Sequence, residues 1–151
     1  MRPDIHTYFM NMAKVASTMT TCKRRSVGAI IVKDKQVLST GYNGAPKNTG
    51  HCIDIGCMRD SLGIPSGKNP ELCRAVHSEQ NAIIQAALNG RNTQGATIYC
   101  THQPCVICAK MIINAGITTV VYENDYPDTL AISLMKEAGL EIIKLKNENN
   151  G

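Results

Sequence analysis

Two short motifs, each placed where a helix should begin, constrain the fold of this chain more than any other feature. The first is His77-Ser78-Glu79 and the second is Pro104-Cys105-Val106-Ile107-Cys108. One histidine and two cysteines are good ligands for Zn²⁺, and a set of three protein ligands leaves the fourth tetrahedral position open. If all three bind one ion, the fold must bring the starts of two helices together. The sequence therefore predicts a catalytic metal site at that junction.

Each motif has another interpretation when it is taken alone. The spacing of Cys105 and Cys108 also fits a redox motif or a structural zinc site. A redox motif would leave His77 and Glu79 without a role, and a structural site needs a fourth protein ligand. Glu79, two residues after His77, is placed to move protons without binding the metal. The two motifs together favour the catalytic interpretation.

Hydrophobic periodicity along the chain predicts an α/β fold. A helix capped by Asp4 should come first, followed by two strands, 27–33 and 37–42, that form a hairpin. Three helices and three strands should then alternate: helices at 78–88, 105–115 and 129–138, and strands at 96–100, 117–122 and 140–145. Because helices connect the last three strands, those strands should be parallel, with helices on both faces of the sheet. The predicted fold is a three-layer α/β/α sandwich with a mixed five-stranded sheet.

The length of 151 residues predicts a single domain that spans residues 1–151. Within it, an irregular insert at about 47–73 contains several cysteines and is too long to be an idle connection. The polar segment 146–151 is expected to form an unstructured C-terminal tail.

Composition bears on partners and location. The formal net charge is +4, but lysine and arginine are scattered, so charge alone gives no argument for nucleic acid binding. No segment approaches the ~20 apolar residues of a membrane span, and the first residues lack the apolar core of a signal peptide. Seven cysteines without an export signal predict free thiols and metal ligands in a cytoplasmic protein.

Four cysteines in and around the insert raise the question of a second metal. Buried free thiols are the commoner explanation for such residues. Their spacing also fits a second, structural Zn²⁺ that would hold the insert in place. Its ligands would be drawn from Cys22, Cys52, Cys57 and Cys73.

Four segments in order resemble the cytidine and deoxycytidylate deaminase superfamily, and within it the deoxycytidylate (dCMP) deaminases. They are 27–32 (VGAIIV), 41–46 (GYNGAP), 73–83 (CRAVHSEQNAI) and 104–110 (PCVICAK), and the likeness extends from about residue 8 to about residue 145. His-x-Glu followed by Pro-Cys-x-x-Cys is the signature of the zinc deaminases. The resemblance implies zinc-dependent hydrolytic deamination of dCMP to dUMP, the precursor of thymidylate. It also implies a role for four residues: zinc ligation by His77, Cys105 and Cys108, and proton transfer by Glu79.

The same resemblance has implications for ligands and assembly. It implies a homo-oligomer, often a hexamer, that dCTP activates and dTTP inhibits, with Mg²⁺ accompanying the nucleotide effector. Asn43 occupies the position at which the family binds the nucleotide. Ser78 stands where alanine is common, and no arginine follows Tyr122, where some relatives have a basic residue for the phosphate. The remaining candidates for a phosphate contact are Tyr126, Lys47, Arg24 and Arg25.

The sequence also allows other functions. Other nucleobase deaminases, acting on dCTP, a nucleoside or tRNA adenosine, would share the zinc motifs. A tRNA enzyme needs a broad basic surface for RNA and a pocket for a flipped base, and the scattered charge and the 41–46 segment argue against it. A noncatalytic zinc-binding assembly module is a further alternative, but it would have no use for the carboxylate of Glu79.

Overall fold

The computed structural model describes residues 1–66, 68–69 and 72–146. Most of the predicted C-terminal tail, residues 147–151, therefore lies outside the described residues. The helices and strands, numbered in chain order, are α1 (Ile5–Ser17), β1 (Gly28–Lys33), β2 (Gln36–Tyr42), α2 (Cys52–Ile55), α3 (Met58–Ser61), α4 (Ser78–Leu88), β3 (Thr97–His102), α5 (Val106–Asn114), β4 (Thr119–Asn124), α6 (Thr129–Glu137) and β5 (Glu141–Lys144).

The five strands form one mixed sheet in the order β2-β1-β3-β4-β5. β1 pairs with β2 and with β3 in antiparallel fashion. β3 pairs with β4, and β4 with β5, in parallel. The hairpin turns at Asp34 and Lys35, whose φ angles of 52° and 62° suit a two-residue turn between antiparallel strands. The predicted mixed five-stranded sheet is confirmed.

Helices cover both faces of the sheet, as predicted for a three-layer sandwich. Side chains of one strand alternate between the faces, so Ile30 packs with α1 whereas Ile31 packs with the helices on the other side. α1 supplies the first layer through Phe9, Met10 and Ala13. The two crossover helices, α5 and α6, share the second face with α4. The strands β3, β4 and β5 follow one another in a single direction across the sheet. Right-handed crossover connections between them therefore place α5 and α6 on the same face.

Helix ends follow local sequence signals. The side chain of Asp4 accepts a hydrogen bond from the Thr7 N–H at 3.0 Å, which caps α1 as predicted. α4 ends before Gly90, whose φ of 64° continues the chain in the left-handed region. The predicted bounds of α4, 78–88, are confirmed.

The insert is more ordered than the sequence suggested. Two four-residue helices, α2 and α3, occupy part of the segment that had been expected to be irregular. The carboxylate of Asp60 binds the guanidinium of Arg24 at 2.6 Å and thereby ties α3 to the segment before β1. Arg24 also donates to the carbonyl oxygen of Ile64. The insert is therefore attached to the sheet next to the start of β1.

Among the described residues, no helix is both long enough and apolar enough to cross a membrane.

Candidate active site

The starts of α4 and α5 meet and bring the three predicted metal ligands together. His77 is the N-cap residue of α4, Cys105 is the N-cap residue of α5, and Cys108 lies in the first turn of α5. Nδ1 of His77 lies 3.5 Å from Sγ of Cys105 and 3.2 Å from Sγ of Cys108. Ligand bonds of about 2.1 Å to nitrogen and 2.3 Å to sulfur at tetrahedral angles place these atoms roughly 3.6 Å apart. The spacing of the donors thus fits one zinc ion.

The described residues contain no second group of this kind. His77, Cys105 and Cys108 are the one set of three or more His, Cys, Asp or Glu side chains in residues 1–66, 68–69 and 72–146 whose ligand atoms all lie within 4.8 Å of one another. The set has one nitrogen and two sulfurs, which is a donor combination that zinc favours. A zinc ion held by this chain therefore has a clear location.

Hydrogen bonds within the set already favour a thiolate. A hydrogen bond from Cys108 is the main reason that the pKa of the Cys105 thiol falls to about 4; burial opposes this shift, and a hydrogen bond with His77 adds to it. The hydrogen bond with Cys105, and then burial, raise the pKa of Cys108. A metal cation would replace the shared protons, since thiolates and neutral imidazole are its ligands.

Glu79 lies beside the ligands and is shielded from water. It is the second residue of α4, and only 4% of its surface is exposed. Burial is the main reason that its pKa is raised; its own backbone N–H, the Cys108 thiol and the charge of His77 oppose this shift. A carboxyl group with a raised pKa can hold and release a proton nearer to neutral pH. Glu79 therefore has the properties of a general acid and base.

A cavity of about 290 Å³ opens onto three of these residues, His77, Glu79 and Cys105. Its size suits a single small molecule. Two residues predicted to contact substrate, Asn43 and Tyr126, line its wall. Several residues that the sequence did not single out as site residues line it as well: Arg59, Ser66, His102, Gln103 and Asp128.

Asn43 is buried, and its amide connects two segments of the chain. Its Oδ1 accepts hydrogen bonds from Oγ1 of Thr20 at 2.6 Å and from the N–H of Val27 at 3.0 Å. Its Nδ2 donates to the carbonyl oxygen of Arg25 at 2.9 Å. An amide NH₂ group has two hydrogens, so this arrangement fixes the side chain and uses one of its donors.

The phosphate candidates occupy different places. Arg24 and Arg25 line the cavity together with Tyr126, and the guanidinium carbon of Arg25 lies 4.9 Å from the centre of the Tyr126 ring. Lys47 does not line this cavity and borders a separate groove next to β2 and α4.

Asp128 joins the starts of two helices at the edge of the cavity. Its Oδ2 accepts a hydrogen bond from the N–H of Val106, the first residue of α5, at 2.8 Å. Its Oδ1 accepts one from the N–H of Ala131 at 3.0 Å and so caps α6. Its position before the periodic segment 129–138 is a recognisable cap signal, but the bond to α5 has no signal in the sequence.

His102 closes the cavity from the end of β3. Its Nδ1 lies 2.9 Å from Oγ1 of Thr101. Burial, and then the positive charge of Arg25, lower the pKa of His102. The neutral imidazole is thereby favoured at the cavity wall.

The cysteines near the insert are neighbours, although they do not form a compact ligand set. Burial raises the pKa of the Cys52 thiol, and the neighbouring thiols of Cys22, Cys73 and Cys57 raise it further. Cys52 and Cys57 are buried, and Cys22 and Cys73 are partly buried. In the described part of the chain, no three of these sulfur atoms lie within 4.8 Å of one another.

Comparison with known proteins supports the predicted family. Residues 3–124 match the family model for the cytidine and deoxycytidylate deaminase zinc-binding region. The chain is 37% identical over 143 residues to a deoxycytidylate deaminase of Saccharomyces cerevisiae, an alignment that covers 94% of this chain and 45% of the relative. It is 41% identical over 136 residues to ComE operon protein 2 of Bacillus subtilis, covering 89% of this chain and 68% of that protein. The chain thus spans about half the length of the yeast relative.

A solved structure agrees over nearly its full length. The dCMP deaminase from the cyanophage S-TIM5, in complex with dCMP and dUMP, superposes with a TM-score of 0.81 at 34% sequence identity. The match covers 96% of this chain and 99% of the phage chain. The matched segments contain both motifs that place His77, Cys105 and Cys108 around one point. This chain belongs to the cytidine and deoxycytidylate deaminase family.

Proposed function

We propose that this protein deaminates dCMP hydrolytically, giving dUMP and ammonia, and so supplies the precursor of thymidylate. The observation that carries the proposal is the buried carboxyl group of Glu79 beside a three-donor set that opens into a cavity. The catalytic residue is Glu79, and the metal ligands are His77, Cys105 and Cys108. The similarity to relatives named deoxycytidylate deaminase supports the choice of substrate.

Zinc, when bound by the three donors, supplies a Lewis acid that brings the pKa of a bound water to about 7. Glu79 accepts a proton as water adds to the ring carbon that carries the exocyclic amine. The same carboxyl group gives a proton to the adjacent ring nitrogen. The carboxylate next takes the proton of the newly added hydroxyl group and passes it to the amine, so that the C–N bond breaks, ammonia leaves and the ring carbonyl forms. One carboxyl group can serve every transfer because its raised pKa keeps both of its forms accessible.

Two wall residues are proposed to contact the nucleotide. Asn43 is held by three hydrogen bonds and retains one amide N–H, which is available to the sugar or the base. Tyr126 presents its ring on the side of the cavity where Arg25 stacks. A residue fixed before substrate arrives loses little entropy on binding, which favours these two for positioning.

The wider assignment follows the family and is proposed on the same basis. Residues 1–151 form one deaminase domain that assembles as a homo-oligomer, a hexamer in the arrangement expected here. dCTP with Mg²⁺ activates it and dTTP inhibits it. Seven free cysteines support a reducing, cytoplasmic location.

A second, structural zinc is proposed for the insert. Its support is the proximity of Cys22, Cys57 and Cys73 to Cys52. Zinc binding would require these side chains to move until their sulfur atoms reach ligand distance. Elemental analysis should find two zinc ions per chain, falling to one in Cys52→Ser, and a stoichiometry of one in the wild-type protein would refute the second site.

Release of ammonia from dCMP, CMP, dCTP and deoxycytidine tests the proposed function. The zinc-loaded protein should show its highest kcat/KM with dCMP, and a chelator should abolish turnover. Release from none of the four compounds would refute the proposal. Turnover confined to a tRNA anticodon stem-loop would assign the protein to the rival group of deaminases instead.

A further inference from the structure

Three arginines line the cavity: Arg24, Arg25 and Arg59. Arg25 is exposed, and one face of its guanidinium stacks on Tyr126. Arg24 is held by Asp60 through Nε at 2.8 Å and through Nη2 at 2.6 Å. Two of the three are therefore partly satisfied by protein groups.

Arg59 is less exposed than Arg25 and donates fewer hydrogen bonds to protein groups than Arg24. It lies in α3, within the insert, and its Nη1 donates a hydrogen bond to the carbonyl oxygen of Lys68 at 3.1 Å. Its Nε is enclosed by protein and has no hydrogen-bond partner in the described part of the chain. Nη1 of Arg24 is enclosed without a partner among the same residues. Cationic donors that are removed from water without an acceptor are costly, so protein groups satisfy these two guanidinium groups incompletely. Both side chains line the cavity, where they can bind an anion.

We propose that Arg59 is the main contact for the 5′-phosphate of the substrate and that Arg24 is a second contact. The inference rests on the proposed deamination of a nucleotide and adds the residues that recognise its phosphate. A phosphomonoester carries about −1.5 to −2 charges at pH 7 and presents three acceptor oxygens. The guanidinium fork matches such a group in charge and geometry.

This assignment gives the insert a function. The chain has no arginine after Tyr122 that could bind the phosphate. Arg59 reaches the same cavity from α3 instead. The Arg24–Asp60 ion pair fixes the insert next to the cavity, so the two arginines are positioned before the ligand binds. The insert thereby selects nucleotides over nucleosides.

The test compares Arg59→Gln with the wild-type protein on dCMP and on deoxycytidine, which lacks the phosphate. Loss of a charged hydrogen bond should lower kcat/KM for dCMP about ten- to a hundredfold and leave kcat/KM for deoxycytidine unchanged. Lys68→Gln is the matched control, because it removes the same charge from an exposed side chain of the same insert. Lys68→Gln should leave kcat/KM unchanged for both substrates. For Arg59→Lys, kcat/KM for dCMP should lie between the values of the wild-type protein and Arg59→Gln, since lysine retains the charge without the guanidinium fork.

A binding measurement separates recognition from turnover. Calorimetric titration with dUMP should show about ten- to a hundredfold weaker binding to Arg59→Gln, with no change for deoxyuridine. An unchanged preference for dCMP over deoxycytidine in Arg59→Gln would overturn the inference. An equal loss on both substrates would also overturn it, because Arg59 would then serve only to shape the insert. If the wild-type protein released no ammonia from either compound, the proposed function would fail, and the dUMP titration would still report on Arg59.

Discussion

Replacement of Asp128 should weaken two helices at once. Its carboxylate accepts the N–H of Val106 at the start of α5 and the N–H of Ala131 at the start of α6. Asp128→Ala removes both acceptors, and the cavity edge then holds two unpaired helix N–H groups. Because Val106 follows Cys105, the change also loosens the segment that carries a metal ligand. We therefore expect a loss of stability that is larger than that of an ordinary cap.

The expected magnitude follows from the two bonds. A lost N-cap typically costs ~1 kcal/mol, and a lost hydrogen bond to a charged group costs about 1.5–3 kcal/mol, taken at its lower end for a partly exposed side chain. The free energy of unfolding should thus fall by roughly 2–3 kcal/mol. At roughly 2–4 °C per kcal/mol for a chain of this size, Tm should fall by about 4–12 °C.

Urea unfolding followed by circular dichroism, with a thermal scan on the same samples, measures this effect. Asp128→Asn retains one carbonyl acceptor and should lose about half as much stability. Asp125→Ala is the control, because its carboxylate pairs with Lys144 and both side chains are at least half exposed. That variant should unfold almost like the wild-type protein. Equal unfolding midpoints for Asp128→Ala and Asp125→Ala would refute the claim that Asp128 stabilises the starts of both helices.

Three further predictions concern the metal, the packing and the pH dependence. Cys105→Ala should lose the catalytic zinc by elemental analysis, whereas undiminished metal in a folded protein would place the site elsewhere. Gly28→Ala should lower the free energy of unfolding by about 1–3 kcal/mol or more, measured in urea, because its Cβ would overlap the carbonyl oxygen of Ala13 in α1; wild-type stability would show that α1 and β1 are not so close. The lowered pKa of His102, caused by burial and then by the charge of Arg25, contributes stability that is present above the ordinary pKa of 6.5 and is lost as the pH falls through the lowered value. Between pH 7.5 and 5, the free energy of unfolding measured in urea should therefore fall less in His102→Gln than in the wild-type protein. An equal fall in the two proteins would contradict this assignment.

The proximity of His77, Cys105 and Cys108 was predictable because these residues lie in two contiguous motifs. His77 and Glu79 are separated by one residue, and Cys105 and Cys108 by two, so local spacing alone places each pair at a helix start. α4 was predicted with the bounds that the structure shows, since Asn89 and Gly90 give a strong stop signal. Zinc chemistry then joined the motifs, because one histidine and two cysteines make a three-ligand set, and the family resemblance agreed. Local sequence therefore predicted the geometry of the two motifs that contain the candidate metal ligands and Glu79.

Strand ends were less predictable. β3 was expected at 96–100 and is found at Thr97–His102. The apolar pattern stops at Cys100, but the backbone ladder continues, and His102 pairs with Asn124 of β4. Polar residues that leave the core can remain paired in a sheet, so periodicity underestimates the strand there. The sequence pattern therefore did not indicate that His102 lines the cavity.

The insert shows the limit of reasoning from local patterns. α2 and α3 have four residues each, too few for a helical period to be visible. They are held by tertiary contacts such as the Arg24–Asp60 ion pair, which joins residues 36 positions apart. Arg59 reaches the cavity only because of such contacts. No spacing rule could have connected it with residues near position 126.

The most direct test of the central claim is the measurement of ammonia release and zinc content in Glu79→Gln. The amide keeps the shape of the side chain but cannot carry protons, and loss of general acid–base help typically costs ~10² to 10⁴ in rate. The account predicts that Glu79→Gln keeps the fold and the zinc at His77, Cys105 and Cys108 while kcat for dCMP falls by at least that factor. A kcat near that of the wild-type protein, with zinc bound, would contradict the proposed mechanism.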